Sequence, residues 1–342
     1  VAVSSWIKPE QAGLTVNTSH PNSRFVIDAL RACDRVVVTH GHADHARPGH
    51  GEVIATPETL AIMASRYGEN FCQKRTPLGY GETMVMGDVT IRMEPAGHVL
   101  GSAQIVIDHN DKRVVVSGDY KRKQDPTCVP FKPVACDVFV TEATFALPVF
   151  SHPDPDGEIQ KLITSLAVFP DRCHVIGAYS LGKAQRLIAL LRQHGHHRPI
   201  YLHGAQQKLC KLYQDLGVDL GDLRPATAGE KGQPRADLAG EVVIAPPSAI
   251  ADKWARRLPD PLVVMASGWM QIRQRAKQSG VEMPMILSDH ADWHDLLATI
   301  DEINPGEVWV THGREDALIR ALSLKGIKAR ALSLVGYEDD AE

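Results

Sequence analysis

Short apolar runs, each broken by glycine, aspartate or asparagine, fill the chain from Val36 to about Thr141. Val36-Val37-Val38, Val53-Ile54-Ala55, Met84-Val85-Met86, Val89-Thr90-Ile91, Gln104-Ile105-Val106-Ile107 and Val114-Val115-Val116 have the length and β-branched content of strands. Asn110 and Asp111, between Ile107 and Val114, read as a hairpin tip. A helix from Pro57 to Tyr67 interrupts the strands, with Thr56 placed to cap it. The pattern predicts one sheet packed on another with helices outside.

The texture changes at Pro148, Pro153 and Pro155, which read as a linker. Beyond it the spacing predicts a helix from Gly157 to Phe169, a strand from His174 to Ile176, a helix from Gly182 to Arg192, a strand from Ile200 to Leu202 and a helix from Ala205 to Leu216. Such alternation is the pattern of a parallel sheet with crossover helices. Gly221 to Ala239 reads as an irregular loop, followed by strands at Glu241 to Ile244, Leu262 to Met265 and Met285 to Leu287. A helix from Trp293 to Ile303, the strand Val308-Trp309-Val310 and a last helix close the chain. The simplest organisation is one domain (1–150 and 291–342) interrupted by another (151–290).

At 342 residues, 44% hydrophobic and 23% charged, the chain can bury the cores of two such units. No apolar run is long enough to span a bilayer, and the N-terminus lacks the pattern of a secretory leader. Six cysteines without a C-x-x-C spacing read as reduced, buried thiols. These features place the protein in the cytoplasm. A formal charge of -4 argues against coating nucleic acid by bulk electrostatics, so any such contact must come from local basic patches.

Chemistry concentrates in Thr39-His40-Gly41-His42-Ala43-Asp44-His45, directly after the Val36 to Val38 strand. In an extended segment His40 and His42 project to one side; once the chain turns helical, Asp44 and His45 point to another. One short segment can therefore serve two metal ions. Three histidines and an aspartate within six positions are poorly explained as an exposed polar turn. Further candidates are His98 in Gly97-His98-Val99, Asp119 in Gly118-Asp119-Tyr120 and His312 in Thr311-His312-Gly313; taken alone, Asp119 and His312 are equally at home as structural residues, and His98 less so.

The H-x-H-x-D-H run resembles that of the metallo-β-lactamase superfamily. The resemblance implies an αββα sandwich and a dinuclear centre, with His40, His42 and His98 on one ion, Asp44, His45 and His312 on the other, and Asp119 bridging. Asp28 would orient a histidine ligand from behind. Nitrogen and oxygen ligands without cysteine suit Zn(II), with Mn(II) as competitor. Two such ions would activate water and stabilise the developing oxyanion, which says hydrolase and leaves the substrate open.

Val140-Thr141-Glu142-Ala143-Thr144-Phe145, Ser288-Asp289-His290-Ala291-Asp292 and Thr311-His312-Gly313 resemble the added motifs of the β-CASP nuclease branch. There the implied catalytic group is Asp44, Asp119, Glu142 and His290, with Glu142 positioning His290 and His290 contacting the scissile phosphate. The inserted 151–290 region would be the β-CASP α/β domain, with the active site in the cleft between domains. Phrases such as His42-Ala43-Asp44-His45-Ala46-Arg47, Ser180-Leu181-Gly182-Lys183 and Ser267-Gly268-Trp269-Met270 are similar to bacterial ligase-associated DNA exonucleases. That resemblance implies a DNA exonuclease in repair, acting 5′ to 3′ alongside an ATP-dependent DNA ligase and a helicase.

Substrate contacts are expected from Ser180 and Lys183 at a helix start, from His203, Ser267, Gly268 and Trp269 at strand ends, and from basic strips at Lys121 and at Arg273 and Arg275. For the charge runs a solvated helix face is an equal reading, and Trp269 and His203 fit structural roles as well. An RNA-processing β-CASP ribonuclease is the alternative enzyme, favoured by His312. A catalytically silent scaffold subunit is the alternative of another class, disfavoured because every expected ligand is present. A small-molecule hydrolase is disfavoured by the inserted motifs.

Overall fold

The computed structural model describes residues 2–332, apart from 11, 229–232, 235–237, 273, 275, 276, 278 and 279. The chain forms two compact units: His152–Asp289, and the stretches before and after it.

The first unit is built on two sheets. The first sheet runs, in spatial order, Ile7–Glu10, Gly13–Val16, Phe25–Ile27, Arg35–Val37, His50–Ala55 and Cys72–Pro77. The stretch before Asp28, for which the sequence pattern predicts no element, supplies its first three strands. The second sheet runs Ala329–Ala331, Glu307–Gly313, Val138–Ala143, Lys112–Val116, Ala103–His109, Val89–Pro95 and Thr83–Met86. Asn110 and Asp111 both adopt positive φ, +47° and +56°, at the hairpin tip between Ala103–His109 and Lys112–Val116. Two consecutive left-handed residues match the right-handed twist of the strands they join.

Strand alternation assigns each side chain to a layer. Ile105 and Ile107 face inward with Val114, Val116, Val138 and Val140 and meet Phe25, Ile27, Val37 and Ile54 of the first sheet in one core. Val106, Val115, Phe139, Val308 and Val310 face outward onto Leu296, Ile300 and Ile303 of helix Trp293–Ile303 and Leu318 and Leu322 of helix Glu315–Leu324. On the far side Val26, Val36, Val38 and Val53 pack on Leu60 and Met63 of helix Pro57–Tyr67. These are the helix, sheet, sheet and helix layers expected from the sequence.

Helix Pro57–Tyr67 starts as predicted: Thr56 is extended and its hydroxyl accepts the Thr59 N–H. Helix Trp293–Ile303 is capped by Asp292, which accepts from the N–H groups of His294 and Asp295, and ends on left-handed Asn304.

The second unit contains a six-stranded parallel sheet in the order Leu223–Pro225, Ile200–Leu202, Val242–Ala245, Cys173–Gly177, Pro261–Ala266 and Met283–Met285. Helices Pro155–Val168, Lys183–Gln193 and Gly204–Asp215 lie between strands in the chain. Part of the expected irregular loop is thus an edge strand, Leu223–Pro225, too short and too polar to announce itself.

The cysteines are free, as expected, but only Cys173 and Cys210 are buried; the other four are half-buried, so that expectation is corrected. Among the described residues no helix is long and apolar enough to cross a membrane.

Ile105 is fully buried between the two sheets. Ile105→Ala is expected to destabilise the first unit by about 2–5 kcal/mol, read as an earlier unfolding transition in denaturant titration. An unchanged midpoint would contradict the assignment of Ile105 to the core.

Candidate metal centre

The chemistry-bearing residues of the first unit sit at strand ends. Asp28 follows Phe25–Ile27, the Thr39 to His45 turn follows Arg35–Val37, His98 follows Val89–Pro95 and Asp119 follows Lys112–Val116. Glu142 and His312 lie in the last turns of Val138–Ala143 and Glu307–Gly313. The pairing of these two strands slips between Thr141–Val310 and Ala143–Gly313, so the His312 strand carries one extra residue. His312 takes φ +63° there, and the bulge aims its ring where an unbroken ladder would not.

Three ring nitrogens converge in the first cluster. His42 Nδ1 lies 3.1 Å from His40 Nε2 and 3.0 Å from His98 Nε2. One sp² nitrogen bears either a proton or a lone pair, so His42 Nδ1 cannot donate to one neighbour and accept from the other. Tetrahedral ligands of zinc stand about 3.3–3.4 Å apart, close to this spacing. Burial first, and then His45, His98, His42 and His290 around it, hold the His40 imidazole well below its ordinary pKa. A neutral ring is the form that binds a metal.

The second cluster is Asp44, His45 and His312. His45 Nε2 lies 3.3 Å and His312 Nε2 3.7 Å from Asp44 Oδ2. Asp119 Oδ2 stands between the groups, 3.5 Å from His40 Nε2, 3.8 Å from His98 Nε2 and 3.6 Å from His45 Nε2. One oxygen is therefore shared by both sets. Burial works against ionisation of Asp44, but the charge and hydrogen bond of His45, with His42 and His312, outweigh it and hold the carboxyl well below its usual range. Burial also opposes protonation of His45, and Asp44, Asp119 and Asp28 override it, raising that imidazole well above its ordinary value.

Asp28 is the support behind these ligands. Its Oδ1 accepts the Thr39 N–H at 2.8 Å, and its Oδ2 accepts the Thr39 hydroxyl at 2.6 Å and meets His45 Nδ1 at 2.7 Å. Nδ1 is thereby committed, and Nε2 is turned towards Asp44 and Asp119.

Glu142 and His290 pair with each other and stand with Asp119 in a third buried group. Glu142 Oε2 meets His290 Nδ1 at 2.9 Å while Oε1 accepts the Tyr120 N–H at 2.8 Å. Burial alone would raise the Glu142 carboxyl; the His290 charge and hydrogen bond, the Thr144 hydroxyl and the Tyr120 N–H lower it instead. The His290 ring lies 4.6 Å from the His98 ring, centroid to centroid, against the first cluster.

All the residues proposed as ligands are thus brought together, with donor types and spacings that fit two divalent ions. The expected substrate contacts are placed differently. Lys121 is buried at 2% exposure, so it forms no surface strip, and neighbouring Arg122 is paired with Glu302 at 2.6 Å. In the second unit Lys183 is fully buried, its Nζ 3.7 Å from Asp289 Oδ2, which corrects the expectation of an open phosphate ligand. The Gly182 N–H at that helix start goes to Gln185 Oε1, and Gln185 Nε2 donates to the Ser180 carbonyl.

His203 caps helix Gly204–Asp215, Nδ1 accepting the Ala205 N–H, with its ring edge-on to Trp254. Ser267 is buried and accepts the Trp269 N–H across buried Gly268; Trp269 is half-buried. Arg273 and Arg275 lie outside the described residues.

Sequence reasoning missed Arg66, whose Nη1 donates to the Gly41 carbonyl inside the histidine turn at 2.8 Å. No sequence signal marks it, because the contact joins a helix end to a turn 25 residues earlier.

Comparison with known proteins agrees with this geometry. Residues 10–168 match the family model of the β-lactamase superfamily domain. The β-lactamase superfamily domain is thus present over residues 10–168, and similar proteins support the metallo-β-lactamase/β-CASP nuclease family. A protein of Opitutus terrae named a probable DNA ligase is 28% identical over 91% of this chain and 30% of its own length. A protein of Thermus thermophilus named a ribonuclease is 26% identical over 69% of this chain and 61% of its own. The chain thus spans less than two thirds of either relative. A solved protein of unknown function from Enterococcus faecalis V583 shares the fold, with TM-score 0.58 over 92% of this chain and 79% of its own at 14% identity.

Asp28→Asn keeps the side-chain shape but leaves one acceptor oxygen, so it cannot accept from both the Thr39 N–H and His45. Affinity for the second ion should fall about 10–100-fold, with a smaller loss at the first through the Thr39 hydroxyl that meets His40 Nδ1 at 3.0 Å, measured by metal analysis after dialysis against graded chelator. Equal retention at both sites would remove Asp28 from the support.

Proposed function

We propose that the protein is a metal-dependent nuclease, a DNA exonuclease of repair acting from 5′ ends. The observation that carries this reading is the pair of ligand clusters sharing Asp119 Oδ2, with the Glu142–His290 couple set against them. Bound there, two divalent ions would supply an activated water and neutralise charge at phosphorus. We take them as Zn(II), with Mn(II) the competitor, held by His40, His42, His98 and Asp119 and by Asp44, His45, His312 and Asp119.

The chain's own residues then divide the work. Asp28 fixes the His45 tautomer. Glu142 commits Nδ1 of His290, so the ring acts through Nε2, stabilising a nonbridging phosphate oxygen or protonating the leaving oxygen. The parallel-sheet unit, His152–Asp289, is the inserted β-CASP domain in this reading.

The choice of DNA is supported by the relative named a probable DNA ligase, which aligns with nearly the whole of this chain. A cytoplasmic setting beside an ATP-dependent ligase and a helicase fits the same reading. RNA processing is the second reading, supported by the relative named a ribonuclease.

The test is cleavage of 5′-labelled and 3′-labelled single-stranded DNA and of matched RNA, after reconstitution with Zn(II) or Mn(II). Stepwise loss of DNA from the 5′ end is expected, abolished in His42→Ala and Asp119→Asn. RNA-only or internal cuts would replace the proposal by the ribonuclease reading, and cutting that survives both variants would refute the site.

His290→Ala should slow turnover by about 10²–10⁴-fold with metal content unchanged, in single-turnover kinetics beside metal analysis. Loss of metal together with activity would make His290 a ligand instead.

A further inference from the structure

Helix Pro57–Tyr67 touches the first ligand cluster at both of its ends. At its C-terminal end Arg66 Nη1 donates to the Gly41 carbonyl, the peptide between His40 and His42, at 2.8 Å. One turn earlier on the same face Ile62 presses on Gly41 so closely that a Cβ there would stand 2.6 Å from Ile62 Cγ2. At the N-terminal end the hydroxyls of Thr56 and Thr59 donate to the Gly101 carbonyl at 2.7 Å and 3.0 Å. A Cβ on Gly101 would meet Glu58 Cβ at 2.7 Å and Thr59 N at 2.8 Å.

Gly101 belongs to the tight turn that carries His98, whose N–H is received by Ser102 Oγ at 3.0 Å. The two turns are also joined directly, the Ala103 N–H donating to the Thr39 carbonyl at 2.8 Å.

Neither ligand turn is held by regular secondary structure of its own, and each is gripped by a glycine contact plus a side-chain hydrogen bond from one rigid rod. We propose that this helix is a two-ended bracket that sets the separation of His40 and His42 from His98, and that Arg66 and Thr59 are positioning residues for the first metal ion. The inference rests on the metal-centre reading above and adds to it residues that touch neither ion nor substrate. The second cluster leans less on this helix: Ala46, beside His45, packs on Leu60 and Met63, but His45 is held by Asp28 and His312 stands on the bulge in its own strand. The bracket should therefore weigh more on the first ion than on the second.

The experiment compares the full chain with Arg66→Met, Thr59→Val and Thr59→Ser, titrated with Co(II) in place of zinc. Visible absorption reports coordination geometry, and competition against a chelator gives the affinity of each site. Arg66→Met and Thr59→Val should each weaken the first site about 10–100-fold and alter its spectrum while disturbing the second site less, and Thr59→Ser, which keeps the hydroxyl, should retain the parent's affinity. Equal weakening of both sites would mean general destabilisation, and unchanged affinity at the first site would mean no bracket; either overturns the proposal. If the parent protein takes up no metal at all, the metal-centre reading fails and carries the bracket with it, whereas two normal sites in every variant sink the bracket alone.

Discussion

The meeting of His40, His42 and His98 is not fixed by hydrogen bonds among the rings alone, because His42 Nδ1 faces two ring nitrogens, at 3.1 Å and 3.0 Å, with a single proton or lone pair to offer them. What fixes the three rings is the scaffold around them. Strand ends fix the starting points, in a parallel pairing before His40 and an antiparallel one before His98, glycines let the turns lie directly on their neighbours, and Asp28 takes up the Thr39 N–H and hydroxyl and His45 Nδ1. The layered core gives that scaffold its stiffness. Ile105 and Ile107 face one way and Val106 the other, so a shift of one residue in that strand would turn two isoleucines out of the core between the sheets.

A division of labour among carboxylates follows from where each is anchored. Asp28 and Glu142 are both buried, and each spends its oxygens on a backbone N–H and on the Nδ1 of one histidine. Asp119 and Asp44 instead each point one oxygen at several ring nitrogens at once, Asp119 at 3.5–3.8 Å and Asp44 at 3.3 Å and 3.7 Å. The first kind orients, and the second kind waits for a cation. The difference lies in partners and distances and is invisible in residue type.

What could be read from the sequence was local. Helix Pro57–Tyr67 announced itself through Thr56 and Pro57, the hairpin through Asn110 and Asp111, and the histidine turn through the spacing of its own residues. What could not be read depends on meetings through space. The strands Ile7–Glu10 and Gly13–Val16 carry weak periodicity and become strands by pairing with each other, and Leu223–Pro225 does so by extending an existing sheet. Lys183 looked like a phosphate ligand because lysine at a helix start is normally exposed; Asp289, more than a hundred positions later, lets it be buried. Arg66 and the bulge at His312 belong to the same class, since the partner that gives each its meaning lies elsewhere in the chain.

The strand that carries His312 pairs with Val138–Ala143 across a gap of about 170 residues, and the whole second unit is made in between. The ligands of the first cluster are complete once Asp119 has been added, whereas the second lacks a member until His312, which follows the whole second unit, has been made. On a chain emerging from its N-terminus the two halves of the centre cannot mature together. Ligand order along the polypeptide thus works as a clock, and the half finished first must wait, exposed to whatever cations surround the nascent protein, for the strand that closes the other.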